Sequence, residues 1–276
     1  MLTRIITGVS GIALAAFIIM QGGWIYAAFA IILSLLAWHE YAAAFSHAGQ
    51  STSYILGFLA VTLFGCCAWF GNSEGLIAGA TISVLLVFAE AIFLHDRFAV
   101  DQACISIAGI FYVGFCFAHL ILLRFIADAV VLTTPVGNMT LGCAFLWIMF
   151  LGTWSSDTFA YFIGSFLGKH KLCPTISPKK TIEGFIGGLI GTIVVVTSLG
   201  WFLSFPIFLM VALGASIAIV ATIGDLAESV IKRYTGVKDS GRIIPGHGGV
   251  LDRFDSVMFT APLVYYFIKF FGLVGV

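Results

Sequence analysis

The chain has 276 residues and a mass of 29.6 kDa; 61% of its residues are hydrophobic and 9% are charged. A soluble domain of this length would carry roughly 69 charged residues at the usual proportion of about a quarter, whereas this chain has 13 basic and 13 acidic ones. That excludes a soluble globular enzyme, a disordered chain and a nucleic-acid binder, which would need a basic face.

The apolar runs are long enough to cross a bilayer, whose core of about 30 Å takes roughly 20 helical residues. Ile5 to His39 is free of charge and broken at Gln21-Gly22-Gly23, which predicts two helices over 4–20 and 23–45. Further helices are expected over 53–70 and 75–94. Asp101 and Arg124 bracket another uncharged stretch, predicting a span over 102–124, and 139–166 follows. The uncharged run Gly184 to Gly224 is interrupted only at Ser204-Phe205-Pro206, so it reads as a hairpin of spans over 184–203 and 206–231, with a last helix over 256–274. A β-barrel would need short segments alternating apolar and polar, and runs such as Ile217-Ala218-Ile219-Val220-Ala221 do not alternate. The expectation is an all-α polytopic integral membrane protein of about nine transmembrane helices. The first helix resembles a signal peptide, but Gly22-Gly23-Trp24 makes a poor cleavage site and another span follows at once, so it reads as retained. The six cysteines form no CxxC pair and read as small apolar filler.

Sixteen of the 26 charges fall between Asp157 and Asp255. Residues 1–138 therefore read as scaffold, and 139–276 as a C-terminal catalytic helix bundle with loops at 167–183 and 232–255. Lys169, Lys171, Lys179 and Lys180 sit in the first loop, and Lys232, Arg233, Lys238, Arg242 and Arg253 in the second. Basic short loops face the cytoplasm, so both loops, and Arg4 at the N-terminus, are expected on that side; Lys269 opposes this slightly. Ionised groups are costly at the bilayer centre. Counted along their helices, Asp157 and Asp225 fall toward the cytoplasmic ends, where both can reach one cavity. Asp225 and Glu228 share a helix face.

In the second loop, Gly236, Gly241, Gly246, Gly248 and Gly249 allow backbone N–H groups to approach an anion, while Asp239, Asp252 and Asp255 interleave with the bases. Carboxylates without a Cys or His cluster suit Mg²⁺ better than Zn²⁺, and a polyphosphate with Mg²⁺ needs such a mixture of acids and bases. Ser177-Pro178-Lys179-Lys180-Thr181, ahead of Glu183-Gly184, could hold phosphates against a helix N-terminus; membrane anchoring would explain the lysines equally well. Gly164 to His170 looks like a P-loop but is one residue short, and it is rejected. Glu40 and Glu90, at the ends of N-terminal helices, read as packing or interfacial residues, and His39, His47, His95 and His119 have no partner at ligand spacing.

Ser229-Val230-Ile231-Lys232-Arg233, then Lys238-Asp239-Ser240-Gly241, then the run from Ile244 to Asp255 (Ile-Pro-Gly-His-Gly-Gly-Val-Leu-Asp-Arg-Phe-Asp) resembles the signature of phosphatidate cytidylyltransferases. Ser156-Asp157-Thr158-Phe159-Ala160-Tyr161, Gly168 to Leu172 and Ser177 to Gly184 are also similar to that family, so the resemblance covers about 152–260. It implies a reaction in which CTP and phosphatidate give CDP-diacylglycerol and pyrophosphate. It further implies a metal held by Asp225 and Asp252, with Mg²⁺ as the main cation and K⁺ as a possible second. Lys179, Lys180, Lys232, Arg233, Lys238 and Arg253 would hold phosphate oxygens, with Ser177 and Asp157 completing the substrate cavity. Glu228, Asp239 and Asp255 would ligate metal or orient bases, and His247 would bind phosphate, protonate pyrophosphate or serve the glycine turn alone. A homodimer in a bacterial plasma membrane is expected. Two rivals stand beside this reading: a CTP-dependent polyprenol or phytol kinase, and an ion-coupled secondary transporter. A transporter should carry ionisable groups near the midplane and paired broken helices.

Overall fold

The computed structural model describes residues 2–134, 137–244, 246 and 248–275, with side chains described except at residues 2–7, 9 and 275. The chain is helical almost throughout: α1 (Leu2–Gln21), α2 (Gly23–His47), α3 (Tyr54–Trp69), α4 (Ser73–Phe93), α5 (Val100–Gly109), α6 (Cys116–Arg124), α7 (Leu141–Leu167), α8 (Ile182–Phe202), α9 (Ile207–Thr235) and α10 (Leu251–Phe270). Among the described residues five segments are long and apolar enough to cross a membrane: α2, α4, the α5–α6 rod, α8 and α9. Large apolar side chains stand exposed along these helices, such as Ile32, Ile77, Phe93, Ile190 and Phe208. A surface of this kind suits lipid rather than water. The chain is an α-helical, multi-pass membrane protein.

Helices form where the apolar runs predict them, and the main differences from expectation lie around residues 131–141, 167–183 and 232–255. The helix expected from 139 begins at Leu141, behind an antiparallel hairpin of β1 (Val131–Thr134) and β2 (Gly137–Thr140). The loop at 167–183 contains a second hairpin, β3 (Lys171–Cys173) with β4 (Ser177–Thr181). The loop expected over 232–255 is shorter: α9 continues to Thr235, so Lys232 and Arg233 lie in its last turn, and α10 starts at Leu251, so Asp252 and Arg253 lie in its first turn and Asp255 just beyond it. Both extensions follow helix electrostatics, with bases at a C-terminus and an acid at an N-terminus.

Packing divides the chain into two compact units. The first comprises residues 1–122 and 232–254. Its core contains Trp38, Phe64, Val87 and Phe117. A π-helical turn, Ile110–Phe115, joins α5 to α6. Such a turn disturbs the regular ladder of carbonyl bonds. On either side of it, the Tyr41 hydroxyl donates to Ile105 O (3.0 Å) and the Tyr26 hydroxyl to Leu120 O (3.1 Å).

The second unit comprises residues 123–231 and 255–276, with Leu141, Phe145, Met210 and Met258 in its core. Here α7 and α8 lie against each other along a face of glycines. A Cβ at Gly188 would stand 2.9 Å from Ser156 O, and one at Gly184 would stand 2.8 Å from Ala160 O. Small residues allow this backbone approach between membrane helices. Gly224 on α9 serves the same purpose against α10, where a Cβ would meet Asp255 O at 2.6 Å. These units follow packing, whereas the division at 138/139 follows the distribution of charge.

Candidate active site

In the second unit a cavity of about 370 Å³ is lined by Asp157, Tyr161, Lys179, Lys180, Thr222 and Asp225, among others. Three elements supply its charges. Asp157 projects from α7 and Asp225 from α9, and the lysines come from β4. The Lys180 ammonium pairs with Asp225 Oδ2 at 2.8 Å.

The β3–β4 hairpin is tied down at its base. Thr181 caps α8, its hydroxyl accepting from Gly184 N at 3.1 Å. Glu183, in the first turn of α8, accepts from Lys169 N (3.0 Å) and from His170 N, and its Oε1 lies 2.6 Å from His170 Nδ1. A strand is not legible at Ser177-Pro178-Lys179-Lys180-Thr181, which is poor in β-formers. The cap and the Glu183 tie hold it from one end. Of the residues expected to bind substrate, Asp157, Lys179 and Lys180 therefore line one cavity with Asp225, while Ser177 opens β4, where it pairs with Cys173. Glu228 is buried one turn beyond Asp225, and Asp255 lies just beyond the first turn of α10. Thr222, one turn from Asp225, and Tyr161, at the end of the Ser156 to Tyr161 run and one turn from Asp157, line the cavity as well; neither is singled out as a site residue by the sequence.

In the first unit the signature segment is organised around Asp252. Its Oδ1 accepts from the Lys232 ammonium at 2.6 Å, and its Oδ2 accepts from Gly249 N (2.7 Å) and Ser240 N (3.0 Å). Asp252 precedes the apolar stretch of α10. Burial pushes its carboxyl up, but the Lys232 ammonium and the two N–H groups outweigh that and leave it at about 2. Lys238, Asp239 and Arg253 are exposed, as is Arg233 at the end of α9. His247 lies outside the described residues.

Glu40, expected as a packing or interfacial residue, is packed inside the first unit and makes specific hydrogen bonds there. It is 2% exposed, and its two oxygens accept from Val250 N (3.0 Å) and Leu251 N (2.8 Å) at the start of α10. The available signal was a carboxylate inside an apolar run, which in a membrane helix calls for a partner.

The donor chemistry suits a hard cation. Carboxylate oxygens are the ligand type for Mg²⁺, and Asp157 and Asp225 face one cavity together, though no group of three or more His, Cys, Asp or Glu that could hold a metal ion occurs among the described residues. The lysines beside them suit an anion that would arrive with such a cation.

Acids and bases clustered in this way on a multi-pass helical membrane protein suit polyphosphate chemistry at a membrane. Residues 2–271 match the model of the Cytidylyltransferase family, and the chain belongs to that family. It is 34% identical to a phosphatidate cytidylyltransferase of Synechocystis sp., over 96% of this chain and 95% of the relative. It is 35% identical to one of Staphylococcus haemolyticus, over 96% of this chain and 97% of the relative. It is also 35% identical to one of Bacillus subtilis, over 70% of this chain and 68% of the relative.

Proposed function

We propose that the chain is a phosphatidate cytidylyltransferase, converting CTP and phosphatidate into CDP-diacylglycerol and pyrophosphate. The observation that carries this is the cavity in which Lys179 and Lys180 stand among Asp157 and Asp225 on membrane helices. A lipid phosphate oxygen attacks the α-phosphorus of CTP, a new P–O bond forms, and the bond from the α-phosphorus to the bridging oxygen breaks. Pyrophosphate leaves with the electron pair. The nucleophile is already anionic near neutral pH, so the chain needs no strong general base. Its work is positioning and charge neutralisation.

Lys179 and Lys180 neutralise phosphate oxygens, and the Asp225 carboxylate orients the Lys180 ammonium at the cavity wall. Asp225 and Asp252 are the proposed carboxylate donors to Mg²⁺, with Glu228 and Asp255 as further candidates and K⁺ as a candidate second cation. When bound, Mg²⁺ supplies charge neutralisation on the triphosphate. The roles of Lys232, Arg233, Lys238, Asp239, His247 and Arg253 rest on the sequence signature. The proposal includes nine crossings in all, adding α1, α3, α7 and α10 to the five long spans, with catalysis in residues 139–276 at the cytoplasmic face of a bacterial plasma membrane, and a homodimer.

The test is pyrophosphate release by the purified protein with CTP, phosphatidate and Mg²⁺. Turnover should require all three and fall about a hundredfold or more in Asp225→Asn and Asp252→Asn. Phosphorylation of a prenol without turnover of phosphatidate would replace this reading with a kinase.

A further inference from the structure

The first unit holds a buried carboxylate that the reaction does not obviously use. Glu40 lies in α2, 210 residues before the segment it touches. An ionised group in a membrane helix is costly unless it is compensated, and here the compensation is specific. Val250 N and Leu251 N are among the N–H groups that open α10 and lack a partner within the helix. The positive end of the helix favours an anion there. Gly249 N, the next N–H upstream, goes to Asp252 instead. Three consecutive N–H groups are thus shared between two carboxylates, one from α2 and one from α10.

Two glycines of the signature make room for this arrangement. A Cβ at Gly249 would stand 2.5 Å from Glu40 Oε2, and one at Gly241 would stand closer still to Oε1. Glu40 therefore touches both flanks of the 241–249 segment and its exit into α10. Ser240 N and Gly249 N, the donors to Asp252, adjoin those two glycines.

We propose that Glu40 is a positioning residue for catalysis. Its carboxylate caps α10 from α2 and sets the place of the signature segment, and through Gly249 and Ser240 it sets the Asp252–Lys232 pair. This rests on the cytidylyltransferase reading for its effect on turnover, but the tie itself does not depend on that reading.

The experiment uses the full chain in lipid nanodiscs and compares wild type with Glu40→Gln, which keeps the volume but replaces one acceptor oxygen by an NH₂ group facing an N–H donor. Expected is a fall in kcat of about ten- to a hundredfold, the scale of one charge-assisted hydrogen bond. The KM for phosphatidate should stay within about twofold. Hydrogen exchange should accelerate in peptides covering 238–252, with peptides of α7 and α8 unchanged. Glu40→Asp, which keeps the charge at shorter reach, should recover part of both. Wild-type kcat together with wild-type exchange in Glu40→Gln overturns the proposal. So does a loss of kcat with no change of exchange at 238–252, or with a change spread evenly over the chain. If the wild type has no cytidylyltransferase activity, the functional reading fails, while the exchange comparison still tests the tie from Glu40.

Discussion

Glycine at 249 is a demand of its neighbour rather than of its own backbone. A methyl group there would press on the whole Glu40 carboxylate, with Oε2 at 2.5 Å and Cδ and Oε1 at 2.6 Å. The carboxylate ends a flexible side chain and can retreat, but only by leaving Val250 N and Leu251 N. Gly249→Ala should therefore destabilise the protein by about 1.5–3 kcal/mol, the scale of hydrogen bonds to a charged group. Chemical unfolding in detergent measures the cost. In a Glu40→Ala background most of that cost should vanish, since the two sites share one interaction; full additivity would reject the account. At this scale the sequence made the signature glycines and acids legible, because their types match polyphosphate chemistry. It could not show that Gly249 faces Glu40. Nothing in either local pattern marks a contact between residues so far apart along the chain.

Helices were the most legible elements, since an uncharged run of about 20 residues has few other fates in a bilayer. The hairpins were not legible. β4 contains Pro178 and two lysines, and its conformation is imposed by Thr181 and Glu183 at the start of α8. The glycines of α8 are legible only after the fact, as the face that admits α7. Asp157 follows Ser156, whose carbonyl oxygen would lie 2.9 Å from a Cβ at Gly188. Backbone at that point cannot turn aside as a side chain can. Gly188→Val should cost about 1–3 kcal/mol as overpacking and should lower turnover by moving Asp157 relative to Lys180. Ile190, two residues on and 58% exposed, provides the control: Ile190→Ala should leave turnover near wild type. Equal losses in the two variants would mean that α8 tolerates substitution equally on either face, contrary to the packing described.

At the scale of the whole molecule, composition alone was enough for the membrane class, and the placement of Lys and Arg gives the proposed orientation. The lysine-rich β3–β4 hairpin offers a direct probe of it. Cys173 ends β3, two residues beyond Lys171 and partly exposed. The other cysteines, at 66, 67, 104, 116 and 143, lie in helices and can be replaced to leave a single thiol. Lys169, Lys171, Lys179 and Lys180 surround this position in sequence, and bases in short loops are retained on the cytoplasmic side. A membrane-impermeant maleimide should therefore label the Cys173-only protein in inside-out vesicles and spare it in right-side-out spheroplasts. Permeabilising the spheroplasts should restore labelling, which separates a hidden thiol from one on the far side. Labelling in intact spheroplasts would put the lysine hairpin outside. Cytoplasmic CTP could then not reach Lys179 and Lys180 without crossing the bilayer, and the orientation would have to be abandoned even if purified protein turned over both substrates.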